Sequence, residues 1–175
     1  RKVLIATGAV TTLAGAAGQY GANDGIGAAA RFSSPKDITT DGTSLYVTDK
    51  NDLTIRKIVI ATRAVTTLAG TEHQRGSSDG TGPAARFSDP RDITTDGTRL
   101  YVTDGNTIRK VVIATGEVTT LAGTAGSYGS ADGTGATARL DSPWGITTDG
   151  TSLYVAERDG RIVRKVVIAT REVTT

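Results

Sequence analysis

The chain of 175 residues carries 20 basic and 18 acidic side chains and one histidine, so its net charge is only +2. Its calculated pI near 9.0 reflects that flat balance, and no concentrated basic face for nucleic acid is implied. The absence of cysteine excludes disulfides and thiolate metal sites, and no apolar run approaches the roughly 20 residues of a membrane-spanning helix.

Thirty threonines and 22 glycines, with 5% aromatic residues, favour many short strands punctuated by turns. In chain order, Arg1 to Ala6 and Val10 to Ala14 read as two strands joined at Thr7-Gly8. The segment that follows recurs with small changes. Leu-Ala-Gly begins at Leu13, Leu68 and Leu121. Arg-Lys begins at Arg1, Arg56, Arg109 and Arg164, and a turn aspartate stands at Asp41, Asp96 and Asp149. Successive spacings are 55 and 53 residues, with a further 55 to the last Arg-Lys pair. The shortening is local: Asp49-Lys50-Asn51-Asp52-Leu53 becomes Asp104-Gly105-Asn106. A deletion confined to one turn marks that turn as a surface loop.

Each full repeat contains four strands, in the second copy Asp92 to Thr95, Leu100 to Thr103, Thr107 to Ala114 and Val118 to Ala122. Asp96-Gly97 and Thr115-Gly116 are turns of the hairpin kind. Ile58-Val59-Ile60 and Val111-Val112-Ile113 are apolar on both pleat faces, which requires both faces of the sheet to be covered. Four-stranded antiparallel sheets repeated in series and covered on both sides are the blades of an all-β propeller. The expected units are a half blade at 1–15, which supplies third and fourth strands only, and blades with their connections at 16–70, 71–123 and 124–175. Gly-rich connections of roughly 20 residues link the blades and are long enough to be ordered themselves.

The motifs Pro-x-[Gly/Asp]-Ile, Asp-Gly-Thr, Leu-Tyr-Val-[Thr/Ala]-[Asp/Glu], Ile-Arg-Lys and Val-Thr-Thr-Leu-Ala-Gly resemble NHL repeats, in the variant with a long Asp-Gly connection and an Ala-Arg-Phe motif. The resemblance covers the whole chain. It implies first strands lining a central channel, usually in a ring of six blades, and no single activity. About three and a half blades are too few to close a ring of four or more, and an open wedge exposes apolar end faces. Three outcomes follow: copies of the chain close a ring, copies stack into a filament, or the chain is a segment of a longer polypeptide. The surplus half blade fits a segment or strand-exchanging assembly better than simple two-chain closure. A beginning at Arg1 without a signal peptide also fits an excised piece.

Asp24, Asp79 and Asp132 tempt a calcium reading, but each loop offers one carboxylate where calcium takes six to eight oxygens. Seven residues later stand Arg31, Arg86 and Arg139. The pairs Asp24–Arg31, Asp79–Arg86 and Asp132–Arg139 are therefore expected as structural ion pairs, with no metal and no cofactor. The Arg-Lys pairs are expected as solvated or cross-strand charges, His73 as an exposed loop residue, and Tyr46, Tyr101 and Tyr154 as core. The copies disagree after the repeat proline: Lys36-Asp37, Arg91-Asp92 and Trp144-Gly145. These residues open the inner strand at the channel mouth, so Lys36, Asp37, Arg91, Asp92 and Trp144 are the candidate binding residues. Trp144 could stack a sugar ring or a partner side chain. Tyr20, Tyr128 and Arg75 form a weaker second patch. The reading is a non-enzymatic interaction or assembly scaffold for a protein or glycan, or for further copies or blades, at the cell surface or outside it, with no nucleic acid and no membrane insertion. The alternatives are a self-polymerising structural subunit and half of a ring-shaped enzyme completed by missing blades.

Overall fold

The computed structural model describes residues 1–175. A two-stranded ribbon, β1 (Lys2–Val3) and β2 (Val10–Thr11), precedes three five-stranded antiparallel sheets. Blade 1 contains β3 (Gly25–Ile26), β4 (Pro35–Thr40), β5 (Ser44–Asp49), β6 (Thr54–Val59) and β7 (Ala64–Gly70). Blade 2 contains β8 (Gly80–Thr81), β9 (Pro90–Thr95), β10 (Arg99–Asp104), β11 (Thr107–Val112) and β12 (Glu117–Gly123). Blade 3 contains β13 (Gly133–Thr134), β14 (Pro143–Thr148), β15 (Ser152–Glu157), β16 (Ile162–Val167) and β17 (Glu172–Thr174). The architecture is that of propeller blades, each a meander of four long strands whose first long strand is innermost; β4 packs beside β9, and β9 beside β14.

One strand per blade exceeds the expected four. The connection before each blade lays two residues on the outer edge, as where Gly80 and Thr81 pair with Val118 and Glu117. A short 3-10 turn, Gly82–Ala84 in blade 2, then carries the chain inward. The connection thereby covers an otherwise open sheet edge.

The hairpin between the first two strands is held by its aspartate. Asp96 accepts from the backbone N–H groups of Thr98 (2.8 Å) and Arg99 (2.7 Å) and from the hydroxyls of Thr98 (2.8 Å) and Tyr101 (2.9 Å). Asp41 and Asp149 repeat the pattern. Burial opposes ionisation at Asp96, but these donors outweigh it and hold the carboxyl down at about 2. The turn glycines adopt φ of 89 to 91°, where any Cβ is strained.

Two apolar clusters sit between blades. One packs Tyr46, Ile55 and Phe87 against Leu100 and Val102. The other packs Tyr101, Ile108 and Leu121 against Leu140, Leu153 and Val155. Tyr46 and Tyr101 are buried as expected, but Tyr154 is 38% exposed, because no blade of this chain covers that side of blade 3. Val163 beside it is exposed for the same reason, as are Ile38 on the outward side of blade 1 and Val3, Ile5 and Val10 of the ribbon.

The centre of each blade is polar. Arg56, Arg109 and Arg164 of the Arg-Lys pairs are fully buried, so of the two expectations for these arginines the solvated one fails and the cross-strand pair holds, Arg109 with Asp104 and Arg164 with Glu157. Arg109 donates to Asp79 (2.9 Å) and to the Ser78 carbonyl (3.2 Å) through Nη2. Through Nη1 it donates to Asp104 (3.1 Å) and to the Arg86 carbonyl (2.9 Å), and its guanidinium lies over the Phe87 ring. Arg56 takes Asp24 (2.8 Å), and Arg164 takes Asp132 (2.7 Å) and Glu157 (3.0 Å). The expected ion pairs of Asp24, Asp79 and Asp132 are therefore re-partnered. The base is the buried arginine on the third strand and not Arg31, Arg86 or Arg139. Those three instead donate to backbone carbonyls at the end of the 3-10 turn, Arg31 to Ala28 (2.6 Å) and Ala30 (2.8 Å). Arg86 and Arg139 do the same. Arg86 is only seven residues from Asp79, but a sealed guanidinium needs charge compensation, whereas a half-exposed one is satisfied by carbonyls and water. No helix is long and apolar enough to cross a membrane.

Candidate functional site at the channel mouth

The inner strands β4, β9 and β14 each begin with a slip in register, between Pro35 and Ile38, and again between Pro143 and Gly145. In blade 2 the slip falls between Val102 and Asp104, opposite the same position. A bulge there turns the two residues after each proline away from a regular ladder, and they gather on one face. Lys36, Asp37, Arg91, Asp92 and Trp144 line one cleft of about 210 Å³, together with Lys50.

Two kinds of group share this cleft. Asp37 and Asp92 are tied into the junctions between blades. Asp37 Oδ2 accepts from the Ile93 N–H (2.8 Å) of the next blade, and Asp92 Oδ2 accepts from the Ile146 N–H (2.6 Å) of the one after. A threonine completes each clasp. Thr48 Oγ1 accepts from Asp37 N–H (3.1 Å) and donates to the Arg91 carbonyl (2.6 Å). Thr103 bridges Asp92 N–H (3.0 Å) and the Trp144 carbonyl (3.3 Å) in the same way. Burial, then the hydrogen bond with Asp37 and its charge, push the Asp92 carboxyl up to about 7, against the lowering pull of the Ile146 and Ile93 N–H groups.

The cations face the opening. Arg91 and Lys50 share Asp89, at 2.8 Å (Nε) and 3.0 Å. Burial works against ionisation of Asp89, and the Lys50 and Arg91 partners overcome it to hold the carboxyl below its usual range. Arg91 lies over the Trp144 ring at 4.7 Å, and Arg158 lies over the same ring at 4.5 Å. Arg158 is itself bonded to both oxygens of Asp159, at 2.8 and 2.9 Å. Trp144 remains 45% exposed. A ligand ring stacking on it must share the indole with these guanidiniums or displace one. Arg91 Nη1 is buried without a partner, and Lys36 makes no ion pair.

Lys50, Arg158 and Asp159 were not among the residues expected at the cleft. A signal for two of them existed: Lys50 and Arg158 each follow the acidic residue that ends the second strand, where blade 2 has Gly105. Of the second patch, Arg75 and Tyr128 line a neighbouring cleft of about 240 Å³ that also touches Arg91 and Ser142. Tyr20 is exposed and does not join them.

No family model matches the chain. Over 104 residues it is 36% identical to protein SUPPRESSOR OF QUENCHING 1 of Arabidopsis thaliana, which is 57% of this chain and 10% of that protein. Over an alignment of 183 positions it is 28% identical to NHL repeat-containing protein 2 of Bos taurus, covering 95% of this chain and 25% of that one. The chain therefore spans between a tenth and a quarter of the curated relatives it matches. A solved protein of unknown function from Bacteroides thetaiotaomicron has a TM-score of 0.64 at 30% identity over 70% of this chain and 32% of that one. An auxiliary nutrient binding protein from the same organism gives a TM-score of 0.64 at 24% identity, covering 79% and 37%. A streptogramin B lyase shares the fold with a TM-score of 0.53 at 19% identity, covering 80% and 39%. Binding proteins and enzymes both use this fold, so the fold does not decide between them. The class is a β-propeller segment. Its repeats are NHL-like, as the motifs imply.

Proposed function

We propose that this chain is a binding segment of a propeller, with the channel-mouth cleft as its ligand site and an anionic group on a protein or glycan as its ligand. The supporting observation is the convergence of Lys36, Lys50, Arg91 and Trp144 from three blades on one cleft. Lys36 lines the cleft without an ion-pair partner, so its ammonium is left to a ligand there. Asp37 and Asp92 act as clasps between blades, with an oxygen of each already committed to a backbone N–H, so a catalytic role for them is not the preferred reading. Placement at the cell surface or outside it belongs to the same proposal.

Trp144 is the sole tryptophan, so its fluorescence reports on this cleft alone. Titration with acidic oligosaccharides and acidic peptides is expected to give a saturable change that Lys36→Ala weakens. A flat response to every anionic probe, with neutral probes equally silent, would reject the reading.

A second reading, a self-assembling subunit, is favoured by a different observation: the exposed Tyr154 and Val163 on blade 3 and Ile38 on blade 1. Sedimentation of the folded chain separates the two. Concentration-dependent growth supports assembly, and a sharp monomer rejects it.

A further inference from the structure

The turn after β5 carries Asp52, whose side chain is 1% exposed and whose two carboxylate oxygens accept no hydrogen bond. A carboxylate sealed in that state is costly unless it is protonated or given a cation. Burial, with Asp49 and Glu72 adding to it, pushes its pKa up; His73 and the nearby Ser33 hydroxyl pull the other way.

Blade 2 shows what the position needs. Its shorter turn carries Asn106, whose Nδ2 donates to the carbonyls of Thr124 (2.6 Å) and Ser127 (2.8 Å) and whose Oδ1 accepts from Gly126 N–H (3.0 Å). In blade 1 a carboxylate occupies the turn, and the connection above it reads Glu72-His73 where the other copies have Ala125-Gly126 and Ala17-Gly18. Asp52 Oδ1 lies 4.0 Å from His73 Nδ1, and Glu72 Oε1 lies 3.4 Å from His73 Nε2. One donor atom from each of the three residues lies within 4.8 Å of the other two.

We propose that Asp52, Glu72 and His73 form a binding site for a divalent transition-metal cation of the zinc, cobalt or nickel kind. One imidazole and two carboxylates suit such ions. The charge also closes: a divalent ion neutralises both carboxylates, whereas a protonated histidine leaves one uncompensated. Tetrahedral bonds of about 2.0–2.2 Å place donors about 3.4 Å apart, so the cluster must contract and His73 must commit one ring nitrogen. Glu72 and His73, at 49% and 67% exposed, can supply that movement by changing rotamer. Asp52 is the fixed ligand, and the fourth position faces solvent.

With a single histidine and no cysteine in the chain, Zn²⁺ alone can be titrated while the His73 imidazole protons are followed by NMR and the heat by calorimetry. The expected result is saturation at one equivalent with His73 shifted. Asp52→Asn, which resembles the arrangement at Asn106, is expected to weaken binding about 100-fold or more, beyond the 10–100-fold typical of outer-shell partners. His73→Gln, at an exposed position, is expected to abolish it. Unmoved His73 resonances at millimolar Zn²⁺ overturn the proposal, as does one-equivalent binding by His73→Gln. Undiminished affinity in Asp52→Asn also overturns it, since the ion would then need only a surface histidine.

Discussion

Blades 1 and 2 present to their neighbours an edge that blade 3 lacks. Asp37 with Thr48, and Asp92 with Thr103, each tie a backbone N–H and a carbonyl of the following inner strand. At the matching positions blade 3 has Gly145 and Ala156. The rest of the hairpin is kept: Asp149 holds its turn as Asp41 and Asp96 do. The residues that build a blade are thus separable from those that join blades. Whatever covers the outward side of blade 3 must use Tyr154, Val163 and backbone contacts rather than the carboxylate clasp.

The largest expected effect in comparing the middle blade with the third lies at the buried arginines. Arg109→Ala strands the fully buried Asp104 and should cost about 3–5 kcal/mol. Arg164→Ala strands the equally buried Glu157 and should cost somewhat less, because Leu140 stands where Phe87 stacks on Arg109 and no cation–π contact is lost. Denaturant unfolding of the two variants measures this, and equal costs would show that the Phe87 ring adds nothing to the buried pair.

A smaller effect isolates the clasp. Thr103→Ala removes one hydrogen bond within blade 2, from Asp92 N–H, and one to blade 3, to the Trp144 carbonyl, and should destabilise by about 1–2 kcal/mol. Ala156→Thr, on the unclasped edge, should change stability by less than about 0.5 kcal/mol. A cost at Ala156 as large as that at Thr103 would mean that the edge of blade 3 is engaged within the chain itself.

The gentlest probe is pH. The folded-state pKa of Asp92 is raised to about 7, against about 3.9 unfolded, so the folded state holds a proton that the unfolded chain has released. Its contribution is fully present below about pH 4 and is lost as pH rises through 7. The melting temperature should therefore fall between pH 5 and pH 8, and Asp92→Asn should flatten that fall. An unchanged slope in the variant would assign it to other groups.

Much of this was readable from the repeat. Asp96-Gly97-Thr98 specifies its turn through contacts within five residues, so local text suffices. The cleft was partly readable because Lys36, Arg91 and Trp144 break a pattern that packing alone would leave uniform. Asp159 had no signal in the sequence, and that of Arg158 did not place it over Trp144, because that contact depends on how a loop folds back. The partner of Asp79 was misassigned for the same reason: Arg86 is near in sequence, while Arg109 is near only once β11 lies under the connection.

By itself the sequence determined the strands, their turns, the blade as a unit and the start of the inner strand as the place where the copies differ. Apolar strand runs and glycine turns act over a few residues, and a repeat states them three times. Only the tertiary structure decided which arginines are sealed in the blades, that Asp37 and Asp92 join one blade to the next, and that Asp52 is buried beneath His73 without a donor. Those outcomes depend on burial and on partners some 20 to 60 residues away, and desolvation, which sets what a charge must find, exists only once the blades have packed.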